Sequence, residues 1–241
     1  MNDGAGGVEL DVRLARDGVP VVIHDSTLRR TGLCEGVVAE MTSAELGKTA
    51  VGAWFNQAYP RLARVEYAQQ FLPTLDQVFA FFSKRSAQLD GTGAVIYVEL
   101  KTDDAEDSSD DLAGSVVRLI NDHSLQSRTV VVSFDLNAVA QIKQFDSSIR
   151  TGALFEPKRA VRLIHKQQLI KAAVDCGVDE ILLHRLIATR RLVGLAAESG
   201  LRSVVWTVDD PKWMRRAANL GIHSLITNHP AEMVRANRRV E

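Results

Sequence analysis

Val8-Glu9-Leu10-Asp11-Val12, near the start of the chain, and Val95-Ile96-Tyr97-Val98-Glu99-Leu100-Lys101 each set two ionisable side chains two residues apart in an apolar run. In a strand, residues i and i+2 share one face, roughly 7 Å apart. Glu9 and Asp11 therefore point the same way, and so do Glu99 and Lys101, while Val8, Leu10 and Val12 fill the opposite face. A core strand does not bury such charges without partners or a metal. A third apolar run, Val19-Pro20-Val21-Val22-Ile23, delivers His24-Asp25 at its end. Three carboxylates, a lysine and a histidine at strand ends are the ingredients of a hydrolytic metal site.

Outward from these strands the pattern alternates. Strand 95–100 precedes a helix over about 110–123, and strand 129–133 precedes helix 136–144. Strand 151–155, helix 165–175, strand 178–183, helix 188–199, strand 202–208, helix 211–219, strand 222–226 and a helix from about 230 complete the series. Upstream, Thr42 and Glu45 form a capping-box signature, and Leu75, Val78, Phe79 and Phe82 share one side of a helix that begins after Pro73. The acidic run from Asp103 to Asp111 reads as a solvated loop or helix start. Gly177, Gly200 and Gly221 stand between helices and strands, where left-handed caps belong. Short β-branched strands alternating with amphipathic helices predict a parallel α/β architecture. No Gly-x-Gly-x-x-Gly follows a strand, which disfavours a dinucleotide fold. Ligand-like residues at the ends of several strands favour a barrel, where such ends meet over one mouth.

The composition is ordinary for a globular chain: 241 residues, 46% hydrophobic, 24% charged, formal net charge −1. Near-neutral charge argues against a nucleic-acid binder, but not against a locally positive cleft. Cys34 and Cys176 form neither a metal-ligand spacing nor a disulfide framework. No basic segment followed by an apolar stretch opens the sequence, and no run of about 18 apolar residues exists to span a bilayer. The expectation is a cytoplasmic, single-domain protein over residues 1–241.

The ordered set of motifs resembles the glycerophosphodiester phosphodiesterase family. It comprises Gly7 to Val12, Asp17 to Asp25, Leu28-Arg29-Arg30-Thr31-Gly32, Leu72-Pro73-Thr74-Leu75 and Val98 to Lys101. Val132 to Asp135, Val205-Trp206-Thr207-Val208-Asp209 and Gly221 to Pro230 follow. Each motif is short; their order along residues 7–230 is specific. The resemblance implies a TIM-type (β/α) barrel and metal-dependent hydrolysis of glycerophosphodiesters to glycerol phosphate and an alcohol, an activity of lipid metabolism. It also implies one divalent cation held by Glu9, Asp11 and Glu99, with His24 in proton transfer, Lys101 on the phosphate and Trp206 lining the substrate mouth. Members normally open with a strand ending in His-Arg-Gly and a Glu-Asn-Thr helix start. Here the chain begins at what looks like the second barrel strand. Seven barrel strands are countable, with 19–23 an excursion, so the expected barrel is incomplete and lacks its first strand and first helix. An uncovered barrel edge raises the expectation of a homodimer, and weak or no turnover is expected unless residues upstream of Met1, or a substitute such as Glu66 or His184, supply the absent histidine.

Each residue also has a plainer reading. Glu9 and Asp11 suit an exposed strand edge, Lys101 a charge-balancing salt bridge, His24 a structural histidine bonded to Asp25, and Trp206 a core aromatic. Three carboxylates without clustered cysteine or histidine favour magnesium or calcium (Mg2+ or Ca2+) over zinc. Arg29 or Arg30 could approach the phosphate but both read as solvated, and Phe134 and Phe155 could give an apolar mouth for a lipid-derived group but read as core. His184, His223 and His229 lie near strand ends without an assigned duty, and His123 and His165 read as helical and exposed. The competing expectation is a non-catalytic relative that binds metal and phosphate.

Overall fold

A computed structural model of the chain describes residues 3–87, 93–102, 108–157 and 166–238. It is an α/β fold on an eight-stranded sheet: β1 (Gly7–Leu14), β2 (Pro20–Val22), β3 (Val95–Leu100), β4 (Thr129–Ser133), β5 (Arg150–Phe155), β6 (Glu180–His184), β7 (Arg202–Trp206) and β8 (Ser224–Leu225). The strand order is β2-β1-β3-β4-β5-β6-β7-β8. Neighbours from β4 to β8 run parallel, because a helix carries the chain back between them. β2 instead folds back on β1 as an antiparallel partner, with Val12 opposite Val22. This is the strand order of an incomplete TIM-type (β/α) barrel: among the described residues no ladder joins β8 to β1 or β2. The incomplete barrel and the excursion over 19–23 are as the sequence implies.

The helices are α1 (Ser43–Leu46), α2 (Ala53–Ala58), α3 (Leu75–Ala87), α4 (Ser108–Asp122), α5 (Leu136–Phe145), α6 (Lys166–Asp175), α7 (Arg190–Glu198), α8 (Trp213–Leu220) and α9 (Pro230–Asn237). Local chemistry sets their ends. The Thr42 hydroxyl accepts from the Glu45 N–H, and the Glu45 carboxylate accepts from the Thr42 N–H at 2.8 Å, a reciprocal capping box. Asp135 and Thr189 cap α5 and α7. Gly177, Gly200 and Gly221 take φ of 67°, 77° and 70° after their helices, a region costly for other residues. Of the acidic run, residues 103–107 lie outside the described residues, as does His165.

The chain divides into two compact units. The first comprises residues 1–9, 93–97 and 126–241. On one face of its strands Val130, Val132, Leu154, Leu182 and Val204 pack with Tyr97. On the other, Ala153, Ile181, Leu183 and Val205 meet Leu169, Ala173, Leu192 and Ala196 of α6 and α7. Burial on both faces is why these strands read as continuous apolar runs. Glu180 is fully buried; the Tyr97 hydroxyl donates to it at 2.7 Å and Arg150 stands 3.5 Å away. Burial first, and then the Glu180 charge, pushes the Tyr97 hydroxyl well above its ordinary pKa.

The second unit comprises residues 10–92 and 98–125. Ala15, Val21, Ile23, Leu28, Val38, Leu46 and Leu72 form one of its cores. His123 departs from its sequence reading. It follows α4, is part-buried, bonds to Asp76 at 2.8 Å and sets its ring edge-on to Phe79. A helical pattern cannot reveal a partner 47 positions away. β1 also departs: Val12 is fully buried, but Val8 is 36% exposed and Leu10 half-buried. β2 pairs only with Val12 to Leu14, so it does not cover the upstream half of β1. Cys34 and Cys176 are free thiols. Among the described residues no helix is long and apolar enough to cross a membrane.

Candidate active site

Backbone ladders fix the site before any side chain does. Lys101 N–H donates to the Val12 carbonyl and Ile23 N–H to the Asp11 carbonyl, both at 3.0 Å. The first tie brings the end of β3 to β1, and the second brings the end of β2 beside Asp11. Alternation along β1 then sets Glu9 and Asp11 on one face. One carboxylate oxygen from each of Glu9, Asp11 and Glu99 lies within 4.8 Å of the others. Oxygens bound 2.0–2.6 Å from one ion stand at most about 4–5 Å apart, so the set fits a single hard divalent cation. Glu9 is exposed, Asp11 half-buried and Glu99 buried, so the cluster is open to solvent on one side.

Lys101 balances this charge. Its Nζ donates to Glu99 Oε1 and stands 3.1 Å from Asp11 Oδ1. Burial pushes the Glu99 carboxyl up, and the neighbouring ammonium offsets only part of that. Burial alone would lower Lys101, yet attraction to Glu99 and Asp11 outweighs it and raises its pKa. The salt-bridge reading of Lys101 and the metal reading of the carboxylates thus fall on the same atoms.

His24 stands just past β2, its carbonyl accepting from Arg13 Nε at 2.8 Å. Its Nδ1 lies 2.7 Å from Asp25 Oδ1. Arg30 grips the same carboxylate with two bonds, Nε to Oδ2 at 2.6 Å and Nη2 to Oδ1 at 3.0 Å. The Arg30 hydrogen bond is the main reason the Asp25 carboxyl is held down at about 2. An ionised carboxylate only accepts, so Nδ1 carries the proton and Nε2 is the nitrogen left for chemistry. Arg30 also lies over the Trp54 ring at 5.3 Å and interacts electrostatically with Asp11. The solvated reading of Arg30 is therefore incomplete: it is half-exposed but anchored. Its neighbour Arg29 pairs with Glu35 at the surface. Spacing gave no signal for Arg30, because Asp25 and Arg30 are joined by an irregular loop with no period to read.

Trp206 lies in the other unit, at the end of β7. Its ring is edge-on to Phe134 at 5.6 Å and to His184 at 5.2 Å. The indole N–H is buried with no hydrogen-bond partner among the described residues. His184 Nδ1 accepts from Leu186 N–H at 3.3 Å, so the neutral ring carries its proton on Nε2. Burial, then Arg185, lowers the His184 pKa against the pull of Glu156. Phe155 belongs to the core, as read. Asp209 fastens the loop after β8, accepting from Asn228 N–H at 2.8 Å and from the Thr227 hydroxyl at 3.0 Å.

Residues 1–232 match the model of the Glycerophosphoryl diester phosphodiesterase family. The chain is 28% identical over 228 residues to a glycerophosphodiester phosphodiesterase of Bacillus subtilis, covering 92% of this chain and 73% of that protein. It is 24% identical over 242 residues to a glycerophosphodiester phosphodiesterase of Caldanaerobacter subterraneus, covering 99% and 88%. Among solved structures, it is similar to an Oleispira antarctica phosphodiesterase in complex with the product sn-glycerol-3-phosphate, with TM-score 0.77, 23% identity and coverage of 98% and 86%. A glycerophosphodiester phosphodiesterase from Parabacteroides distasonis superposes with TM-score 0.74 at 24% identity, covering 100% and 87%. At these identities the solved structures share the fold.

Proposed function

This chain belongs to the glycerophosphoryl diester phosphodiesterase family, and we propose that it hydrolyses a glycerophosphodiester to glycerol phosphate and an alcohol with one divalent cation held by Glu9, Asp11 and Glu99. The observation that carries this reading is the convergence of the three carboxylates within 4.8 Å at the positions the family resemblance singles out. Opposed oxygens stand about 4.6–5.2 Å apart on calcium and about 4.0–4.2 Å on magnesium. An upper limit of 4.8 Å between the three oxygens is compatible with either ion. When bound, the ion supplies Lewis-acid polarisation of a phosphate oxygen.

The remaining roles belong to side chains. Lys101 offers a positive charge to the phosphate oxygens, where charge builds as the bond to the leaving group breaks. His24, whose Nδ1–H is held by Asp25, would in its doubly protonated form give the Nε2 proton to the leaving alcohol oxygen, while the attacking water supplies the new P–O bond and releases its proton to solvent. Trp206 serves as a wall for the substrate. The sn-glycerol-3-phosphate in the Oleispira antarctica phosphodiesterase supports a glycerol phosphate as the product here. One observation favours the competing reading, a metal- and phosphate-binding chain without turnover. In the unit that carries Asp11 and Glu99, the other histidine, His123, is committed to Asp76.

Product release followed by phosphorus NMR decides between them. With glycerophosphocholine and calcium or magnesium, the account expects sn-glycerol 3-phosphate from the wild-type chain and a loss of about 10²–10⁴-fold in His24→Ala. Metal binding with no turnover under any condition establishes the competing reading instead.

A further inference from the structure

Residues 51–70 leave and rejoin the second unit through a pinched neck. Val51 N–H donates to the Gln70 carbonyl at 2.8 Å, and Leu72 N–H to the Thr49 carbonyl at 3.0 Å. Between these bonds lie α2 and two short 3-10 turns, Pro60–Leu62 and Val65–Gln69. They gather four aromatic rings: Phe55 stands 4.9 Å from Tyr59, 5.6 Å from Tyr67 and 6.1 Å from Trp54. Yet no residue from 51 to 71 is fully buried. Val65 is 78% exposed, Leu62 59%, Phe71 54% and Tyr59 50%. Apolar groups concentrated this way on a surface mark an interaction site.

The charges around them select the partner. Arg61 and Arg64, both exposed, adjoin Leu62 and Val65, and Glu66 is the one acidic residue between 53 and 71. No carboxylate pairs with either arginine among the described residues. A two-fold contact with a second copy would set these arginines against each other. An anionic lipid surface suits the exposed groups together: phosphates meet the Arg61 and Arg64 guanidiniums, Tyr59 sits at the headgroup level, and Leu62 and Val65 enter the acyl boundary. We propose that the 51–70 excursion is a docking element for an anionic phospholipid surface. The element is tied to the catalytic loop, because Arg30 lies over Trp54 and grips Asp25, which holds His24. Docking therefore brings the reaction centre to the membrane face where glycerophospholipids and their breakdown products are found.

Co-sedimentation with vesicles tests this without requiring turnover, so an inactive chain still gives an answer. Vesicles of phosphatidylcholine with about one third phosphatidylglycerol should pellet the full chain, and pure phosphatidylcholine should bind roughly tenfold less or weaker. Added salt should weaken the binding. Arg61→Gln/Arg64→Gln should lose about 10–30-fold of the affinity for mixed vesicles. Leu62→Asp/Val65→Asp should lose at least as much. Both pairs replace exposed side chains, so melting temperatures should match the wild type. Absence of sedimentation with any vesicle overturns the proposal, as does binding that both double variants retain. A dimer abolished by Leu62→Asp/Val65→Asp, with no vesicle binding, overturns it in favour of a second copy.

Discussion

Replacing Lys101 by methionine keeps the stem of the side chain and removes its charge. The ammonium stands 3.1 Å from Asp11 and closer still to Glu99, and the side chains of Lys101, Asp11 and Glu99 are 15%, 23% and 10% exposed. At an effective dielectric of ~20, a 3.1 Å pair attracts by about 5 kcal/mol. Desolvation cancels part of that gain, and breaking such a pair by removing one partner costs about 3 kcal/mol. In a chain of this length that lowers the melting temperature by roughly 6–12 °C. The loss should be visible only without divalent ions. Saturating calcium or magnesium supplies the missing counter-charge, so it should stabilise Lys101→Met more than it stabilises the wild type. Differential scanning fluorimetry with and without chelator reads both effects. A loss under ~0.5 kcal/mol, or one that calcium and magnesium leave unchanged, refutes the claim that ammonium and ion share these carboxylates.

Further outcomes follow from the same contacts. Metal at about 100 times its dissociation constant should stabilise the wild type by roughly 2.7 kcal/mol, and Glu9→Gln and Glu99→Gln should abolish most of that gain in a thermal melt; equal stabilisation of both variants places the ligands elsewhere. The Asp25 carboxyl is depressed from 3.8 to about 2, so its contribution is complete above pH 3.8 and disappears as pH falls through 2. Asp25→Asn should therefore cost about 1–2 kcal/mol at neutral pH, allowing for the half-exposed Arg30. The gap should narrow below pH 4 in urea titrations, and a gap independent of pH contradicts the Arg30–Asp25 account. A methyl at Gly152 would stand 2.4 Å from Leu182 Cδ1 and 3.1 Å from Val132 Cγ1. Gly152→Ala should thus destabilise by about 1–2 kcal/mol through overpacking, and a neutral or stabilising result would show that this layer has slack.

The alternation from β3 onward was legible because β3 to β7 are largely buried on both faces and several helix ends carry a local signal. Thr42 with Glu45, Gly177, Gly200 and Gly221 are such signals, each spanning one turn. The carboxylate pair on β1 was legible for a similar reason, since alternation along a strand is a local rule. Its exposure was not. Val8 and Leu10 stay partly in solvent because β2 pairs only with the other half of the strand, and pairing partners are a tertiary fact. The grip of Arg30 on Asp25 and the bond of His123 to Asp76 were invisible for the same reason, being fixed by loop paths with no periodicity. The 51–70 excursion shows the limit most clearly. Periodicity gives no reading of residues 51–70, and only the fold shows Tyr59, Leu62 and Val65 exposed beside a half-buried Trp54, Phe55 and Tyr67.

The central claim is that hydrolysis depends on one cation held by Glu9, Asp11 and Glu99. The most direct test is the initial rate of sn-glycerol 3-phosphate release as free calcium or magnesium is removed with chelator and then restored, in the wild type and in Glu99→Gln. The wild-type rate should fall to background and return fully with the ion. In Glu99→Gln the rate should recover only at a much higher ion concentration, because the amide keeps an oxygen at that position but loses the carboxylate's charge. A rate indifferent to the chelator, or an identical metal dependence in the two proteins, contradicts it.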